Sequence, residues 1–504
     1  MTTASSFPSF RSVPRLSILL PALSLVLANV FTTGCGSSAP TTHEAQGFTS
    51  VTVLLSSSVN DQLSKVVIAF SSISLNSQSG KSVNLYSASQ NNGAVPEYEL
   101  LHLNGNGEPL ATVVIPQGVY TSANVSILAG SYMSCVVYNP PSNPGGLEIF
   151  VNTPFSLAAG PIPVTVNMPT PITITGTAMV VSLSLLLSQS ALTACTNYGS
   201  VQSMPTFNLT PLILSSQPTN SENGKESNLE GQISFLDTIN NSFTLVLADG
   251  QTLFVKDNDS TVYQGVNGPS ALTPGTFVDM DAAIQMDGSQ LATRIAVEDT
   301  DNSNLTMEAG PLLASYASVP VLYAFVRQQQ GYLAIAPQIP LGIDAPFSVT
   351  NAIYRISDQY TNLQDLPFPA TFNAATIFGG QNVYITTHAL NISNYPTYYP
   401  ASTVTLMPQT LNGTVTEVSS SGVFQIYGVS LAPYDLPTIL ATQPGQSYQL
   451  SNPNAVEVYV DTNTQLLNKA PLAAGATFRF NGLLFNDAGT MRMDCGEVID
   501  GVAE

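Results

Sequence analysis

Few residues in this chain stand at spacings that could do chemistry. The most suggestive run is Glu298-Asp299-Thr300-Asp301-Asn302-Ser303-Asn304. Asp299, Asp301 and Ser303 take alternate positions in it, as the oxygen ligands of a calcium loop do. Glycine is missing at loop position six, and Gly310 stands at position twelve, where a bidentate Glu is needed. The run therefore reads better as a solvated linker, and weak calcium is the one cofactor worth testing. A second stretch, Asn394-Tyr395-Pro396-Thr397-Tyr398-Tyr399-Pro400, could offer Tyr395, Tyr398 and Tyr399 as a platform for a sugar or a Pro-rich peptide. The competing reading is a loop that packs its own tyrosines, and the absence of Trp weakens the sugar reading.

The cysteines are Cys35, Cys135, Cys195 and Cys495. Cys135 and Cys195 fall in one module and could pair in an oxidising compartment, where closing so long a loop contributes about 3 to 4 kcal/mol. Cys495 then reads as a buried strand residue. Zinc is not expected, because no two cysteines are close and no His accompanies them. Ser79-Gly80-Lys81-Ser82 has the ending of a phosphate-binding loop, but Leu75 occupies the place of its first glycine and the segment joins two strands. It reads as a hairpin turn. His43, His102 and His388 lie in three different modules, so a Ser-His-Asp constellation has no support. The acidic residues are distributed as turn residues are, without a visible pair for glycoside hydrolysis.

Composition narrows the partners. The 504 residues carry 32 acids against 12 bases, a net charge of −20, and only 9% are charged while 44% are hydrophobic. Phosphate contact needs clustered Lys and Arg, so nucleic acid is excluded as a partner. A surface of neutral hydroxyls and amides with a pI near 4.2 suits an acidic exterior, because such groups do not titrate.

The elements that must position these residues begin with a leader. Arg11 and Arg15 precede an apolar run from Leu16 to Phe31, and small residues lead into Cys35. This is the pattern of a secretory signal peptide. Pro21 interrupts the run, which is also short for a transmembrane helix of about 20 residues. Thr32-Thr33-Gly34-Cys35 resembles the lipobox of bacterial lipoproteins, with Thr32 where Leu is usual. The resemblance implies cleavage before Cys35 and a lipid on that residue, anchoring the chain to a membrane. The plainer alternative is a secreted protein. Gly36 carries no retention Asp, which leans towards the outer membrane of the envelope.

After a signal segment (1–34) and a small polar tether (35–47), residues 48–215 show short runs of alternating β-branched residues separated by turn formers, and read as a β-sandwich. Leu100-Leu101-His102-Leu103-Asn104-Gly105, Ile115-Pro116-Gln117-Gly118-Val119-Tyr120 and Phe207-Asn208-Leu209-Thr210-Pro211 are similar to the N-terminal sandwich of a bacterial lipoprotein family of unknown function. That resemblance implies a transthyretin-like or immunoglobulin-like domain.

A linker (216–227) follows, and then the chain repeats itself. Leu229-Glu230-Gly231-Gln232-Ile233 is echoed by Leu411-Asn412-Gly413-Thr414-Val415 and more weakly by 307–312. Leu272-Thr273-Pro274-Gly275, Ile377-Phe378-Gly379-Gly380 and Leu472-Ala473-Ala474-Gly475 each precede a strand. Three copies, at 228–300, 305–408 and 410–504, predict three small β-barrels in tandem, the middle one with a long insertion. The repeat resembles a second bacterial family of unknown function, an OB-like barrel. The fold class expected is all-β, a sandwich and then three OB-like barrels, drawn out as an extended stalk. The expected role is non-catalytic binding or scaffolding in the cell envelope, against a glycan or an envelope protein. The alternative is an enzyme, a hydrolase of envelope polysaccharide.

Overall fold

The computed structural model describes residues 47–500, with breaks at 59–60, 89–94, 96, 102, 104–106, 139–146, 156–159, 169, 188–204, 213–224, 248–251, 285–289, 298–304, 317–319, 332–338, 340–341, 358–362, 389–397, 442–449 and 467–469. The signal segment, most of the tether, and Cys35, Cys195, Asp299, Asp301, Ser303 and Tyr395 lie outside the described residues. Among the described residues no helix is long and apolar enough to cross a membrane.

The first module is a curled nine-stranded sheet closed over by a four-stranded one. Strand Phe48–Ser57 lies inside the large sheet, antiparallel to Gly107–Pro116 and parallel to Ala178–Leu185. Val51, Val53 and Leu55 alternate inward, as period-two spacing requires, and join Phe70, Tyr120 and Phe207 in one core with Leu63, Val66 and Ile68 from the smaller sheet. The segment 79–82 is a hairpin turn: Ser77 N–H donates to the Lys81 carbonyl at 2.8 Å, and Gly80 takes φ 81°.

Beyond it come three small barrel-like sheets built on one plan. In each, the first strand (Lys225–Asp237, Leu305–Tyr316 or Gln409–Ser421) pairs with the second and the fourth. The third pairs with the second and, in parallel, with the fifth, and the fifth returns to the fourth. The strand order is thus 1-2-3-5-4-1, a closed circuit. A short extra strand after the third runs parallel to the fifth in all three copies: Val262–Gln264, Ile353–Ile356 and Gln465–Leu466. The first strand begins at Lys225, inside the span expected as linker, because Lys225 and Glu226 pair with Ala283 and Ala282.

Two glycines make this plan readable. Gly231, Gly310 and Gly413 lie where a Cβ would run into a second-strand carbonyl, of Val246, Phe325 and Ser430 respectively. Two residues later each first strand bulges, after Ile233, Leu312 and Val415. Gly275, Gly380 and Gly475 take φ of 97°, 104° and 87°, and their N–H groups donate to those same three residues at 2.7 to 2.8 Å. A side chain there would be held in the left-handed region that glycine alone enters freely.

The extended stalk is not what forms; the chain folds back. Phe424, Tyr459, Leu483 and Phe485 of the third barrel share a core with Phe347, Phe368 and Phe372 of the middle one. Gln381 Nε2 donates to the Leu484 carbonyl at 2.8 Å. Phe277 of the first barrel packs with Tyr384 and Met407 of the second. The third barrel also reaches the sandwich, where Asp61 N–H donates to the Tyr434 carbonyl at 3.2 Å. Buried apolar surface of this kind makes a tandem act as one body, where polar linkers would leave the units free.

Candidate functional site

The richest polar cluster lies on the third barrel, where strand Ala455–Val460 runs parallel to strand Thr490–Asp500. Val456, Val458, Met491, Met493 and Cys495 point into the core. Alternation therefore sends Glu457, Tyr459, Arg492 and Asp494 outward, in register as Glu457 with Arg492 and Tyr459 with Asp494. Outward is not fully exposed here, because Phe368 from the middle barrel's insertion covers Tyr459 and Arg492, while Glu457 stays partly exposed. Its ring lies 4.8 Å from that of Tyr459 and 5.4 Å from the Arg492 guanidinium carbon.

Arg492 is held from several sides. Its Nη1 donates to the Tyr459 hydroxyl at 2.6 Å, which donates to Glu457 Oε2 at 2.9 Å. Its Nε lies 3.1 Å from Asp487 Oδ2 and 3.6 Å from Glu457 Oε2. Burial, and then Glu457, push the Tyr459 phenol up to about 12. Beside it, burial and the nearby Asp461 push the Asp494 carboxyl up to about 7. Asp461 itself is fixed in a turn, its Oδ1 accepting from Asn463 N–H at 2.8 Å and Thr464 N–H at 3.1 Å. Thr464 Oγ1 donates on to the Cys495 carbonyl at 2.7 Å. A carboxyl that exchanges its proton near neutrality beside another carboxyl can act as an acid and base. Arg492 is already matched by two carboxylates and offers little to an anion.

A second cluster joins three modules. Asp61 of the sandwich accepts from Arg327 Nη2 of the middle barrel at 2.8 Å and from Leu436 N–H of the third barrel at 2.8 Å. Asp435, next to it, accepts from Asn412 N–H at 2.8 Å and Asn412 Nδ2 at 2.9 Å. Burial pushes Asp435 well up, against the pull of the Asn412 hydrogen bonds, and Asp61 adds to the rise. All five residues are buried.

A third cluster sits on the first barrel. Arg294 binds Asp279 at 2.7 Å and Asp281 at 3.0 Å, all three buried. Burial opposes the Arg294 charge, and the two carboxylates outweigh it. The corresponding places in the third barrel are Arg479, Asn481 and Glu497, because Asp281 faces Arg294 as Asn481 faces Glu497, one step before the same bulge. The signs of Asp279 and Arg294 are exchanged in Arg479 and Glu497, Asn481 is neutral where Asp281 is charged, and the middle copy has Tyr384, Thr386 and Thr403 in these places.

The residues singled out from the sequence do not meet in one site. Cys135 is disulfide-bonded, with its partner outside the described residues. Cys495 is free and buried, its Sγ donating to the Glu497 carbonyl at 3.1 Å. Tyr399 is committed to its own barrel, 5.9 Å from Phe347 between ring centres, while Tyr398 is exposed. Among the described residues no group of three or more His, Cys, Asp or Glu could hold a metal ion. Asp61, Arg327, Asp435 and Asp494 were not singled out. A signal existed: beyond residue 15 there are only five arginines, at 294, 327, 355, 479 and 492, and Arg294, Arg327 and Arg492 each lie buried or half-buried against acids.

No curated protein matches this chain. Residues 230–296 match a domain of unknown function, DUF5666. The matched span is the first barrel, from its opening glycine through its fifth strand.

Proposed function

We propose that the protein is a lipid-anchored component of the bacterial cell envelope, held through Cys35, with a binding or scaffolding role towards a glycan or an envelope protein. Its three barrels are OB-like on this reading, supported by the 1-2-3-5-4-1 strand circuit they share. The observation that carries the role is the use to which the charged groups are put. Arg327 and Asp61 tie three modules together, and Arg492 is locked between its own barrel and Phe368. Groups committed in this way give a rigid body that presents surfaces. The test uses cells expressing wild type and Cys35→Ala. Wild type should sediment with membranes and Cys35→Ala should be released to the soluble fraction; a variant that still sediments overturns the anchor. Digestion of wild type by protease added to intact cells would place the barrels outside, and protection would place them in the periplasm.

A second reading, an envelope polysaccharide hydrolase, draws on Asp494 and its neighbour Asp461. It requires that Asp494→Asn and Asp461→Asn each abolish release of reducing ends from envelope polysaccharide while leaving the circular dichroism spectrum intact.

A further inference from the structure

Two phenylalanines stand in the open on the first barrel. Phe235 is 60% exposed and Phe254 is 56% exposed. They belong to one row across three strands, Phe235 facing Thr244 and Thr244 facing Phe254. Neighbouring strands lie about 4.8 Å apart, so the two rings flank Thr244 within the span of one helix diameter. Val246 continues the face on the second strand. The row itself carries no charged side chain.

The same row in the middle barrel reads Ala314, Tyr323 and Pro346, by the same register. There the helix covers the middle of the row, at Tyr323, and the ground on either side of it at Leu313 and Phe325. The short helix Leu436–Ala441, from the third barrel, lays Leu436 and Leu440 against Leu313, Tyr323 and Phe325. Leu313 is the bulge residue, in the place of Ser234, and Phe325 stands in the place of Val246. That helix, Leu-Pro-Thr-Ile-Leu-Ala, is uncharged, and its two leucines stand four residues apart, one turn of one face. The chain thus seats this segment on Leu313, Tyr323 and Phe325 of the middle copy, the places of Ser234, Thr244 and Val246, and leaves Phe235 and Phe254 beside those places exposed on the first copy.

We propose that the outer face formed by Phe235, Thr244, Val246 and Phe254 is a docking site for a short uncharged helix bearing two aliphatic side chains four residues apart, supplied by a partner protein. Among the described residues the one such helix, Leu436–Ala441, is already buried on its own middle barrel, so the occupant is sought outside the chain. Burying exposed aromatic surface against apolar side chains is favourable in proportion to the area removed from water. The site deepens the binding role proposed above and rests on that reading for its cellular setting only.

The test uses the purified protein and a fluorescein-labelled peptide of residues 432–441 carrying Asp435→Asn, read by anisotropy. Binding should saturate below about 1 mM peptide. It should weaken at least tenfold in Phe235→Ser/Phe254→Ser, whose melting temperature should hold because both side chains are exposed. A peptide with Leu436→Ser and Leu440→Ser should not bind. The proposal is overturned if no saturable rise occurs, or if the double variant binds as wild type does, which would place the peptide elsewhere. It is also overturned if a soluble neutral glucan binds in the peptide's stead and is lost in the double variant, or if wild type dimerises and the variant does not. None of these outcomes depends on Cys35, so failure here leaves the anchoring reading to its own fractionation test.

Discussion

Asp494 is a side chain whose proton the fold retains up to neutral pH. An unfolded aspartate titrates near about 3.9, whereas burial and Asp461 bring Asp494 up to about 7 in the folded protein. Between those values the native state binds a proton that the unfolded chain has released. The contribution of this group to stability is therefore full below about pH 4 and is lost as pH rises through 7. Asp435, raised by burial, works in the same direction. The expected outcome is that Asp494→Asn gains melting temperature over wild type at pH 8 and loses that advantage at pH 5, followed by circular dichroism. An advantage independent of pH would show that Asp494 does not titrate in this range. The outward direction of Asp494 could be read from Met491-Arg492-Met493-Asp494-Cys495, whose alternation is plain. Its setting could not, because Phe368, the ring that covers its neighbours Tyr459 and Arg492, lies in the insertion that distinguishes the middle copy.

At the scale of the element, the repeat was legible because its backbone demands are local. Gly231 and Gly413 open the first strands, Gly275, Gly380 and Gly475 close the turns, and no other residue type suits either place without cost. The two kinds of glycine should fail differently. Gly231→Ala places a Cβ 2.5 Å from the Val246 carbonyl oxygen, inside a paired strand that cannot easily give way. Gly275→Ala meets nothing within 4 Å and suffers only the positive φ, at a cost of about 1 to 2 kcal/mol. Urea denaturation of the two variants should show Gly231→Ala the more damaging, and equal losses would mean that the first strand yields. The middle copy was harder to see, since its fourth-strand turn stands far from its opening strand in sequence. The aromatic row of the first barrel was hidden for another reason. Phe235 and Phe254 come together only through the register of three strands, which a bulge after Ile233 shifts by one.

For the molecule as a whole, the ion pair between Asp61 and Arg327 spans 266 positions of sequence, and no local pattern announces it. Tandem order alone suggested a drawn-out chain; Asp61 draws the middle barrel to the sandwich through this buried pair and the third barrel through Leu436 N–H. Removing one partner of a buried pair leaves the other charge without compensation, typically at a cost of about 3 to 5 kcal/mol. Arg327→Met should do more than lower stability. It should uncouple the modules, so that calorimetry of the variant resolves a separate sandwich transition where wild type shows the modules melting together. A variant that melts in one step at the wild-type temperature would show that the shared cores alone hold the assembly.

The placement of strand Phe48–Ser57 carries a mechanical consequence. A pull on the chain at residue 47 acts along that strand, which is hydrogen-bonded on both sides, to Ala178–Leu185 in parallel and to Gly107–Pro116 in antiparallel sense. Inter-strand bonds lie across the strand axis, so the load meets them in shear and must break many together, whereas a strand peeled from a sheet edge gives up one at a time. Traction on the chain at residue 47 would be met first by the interior of its first sheet and not by an edge strand.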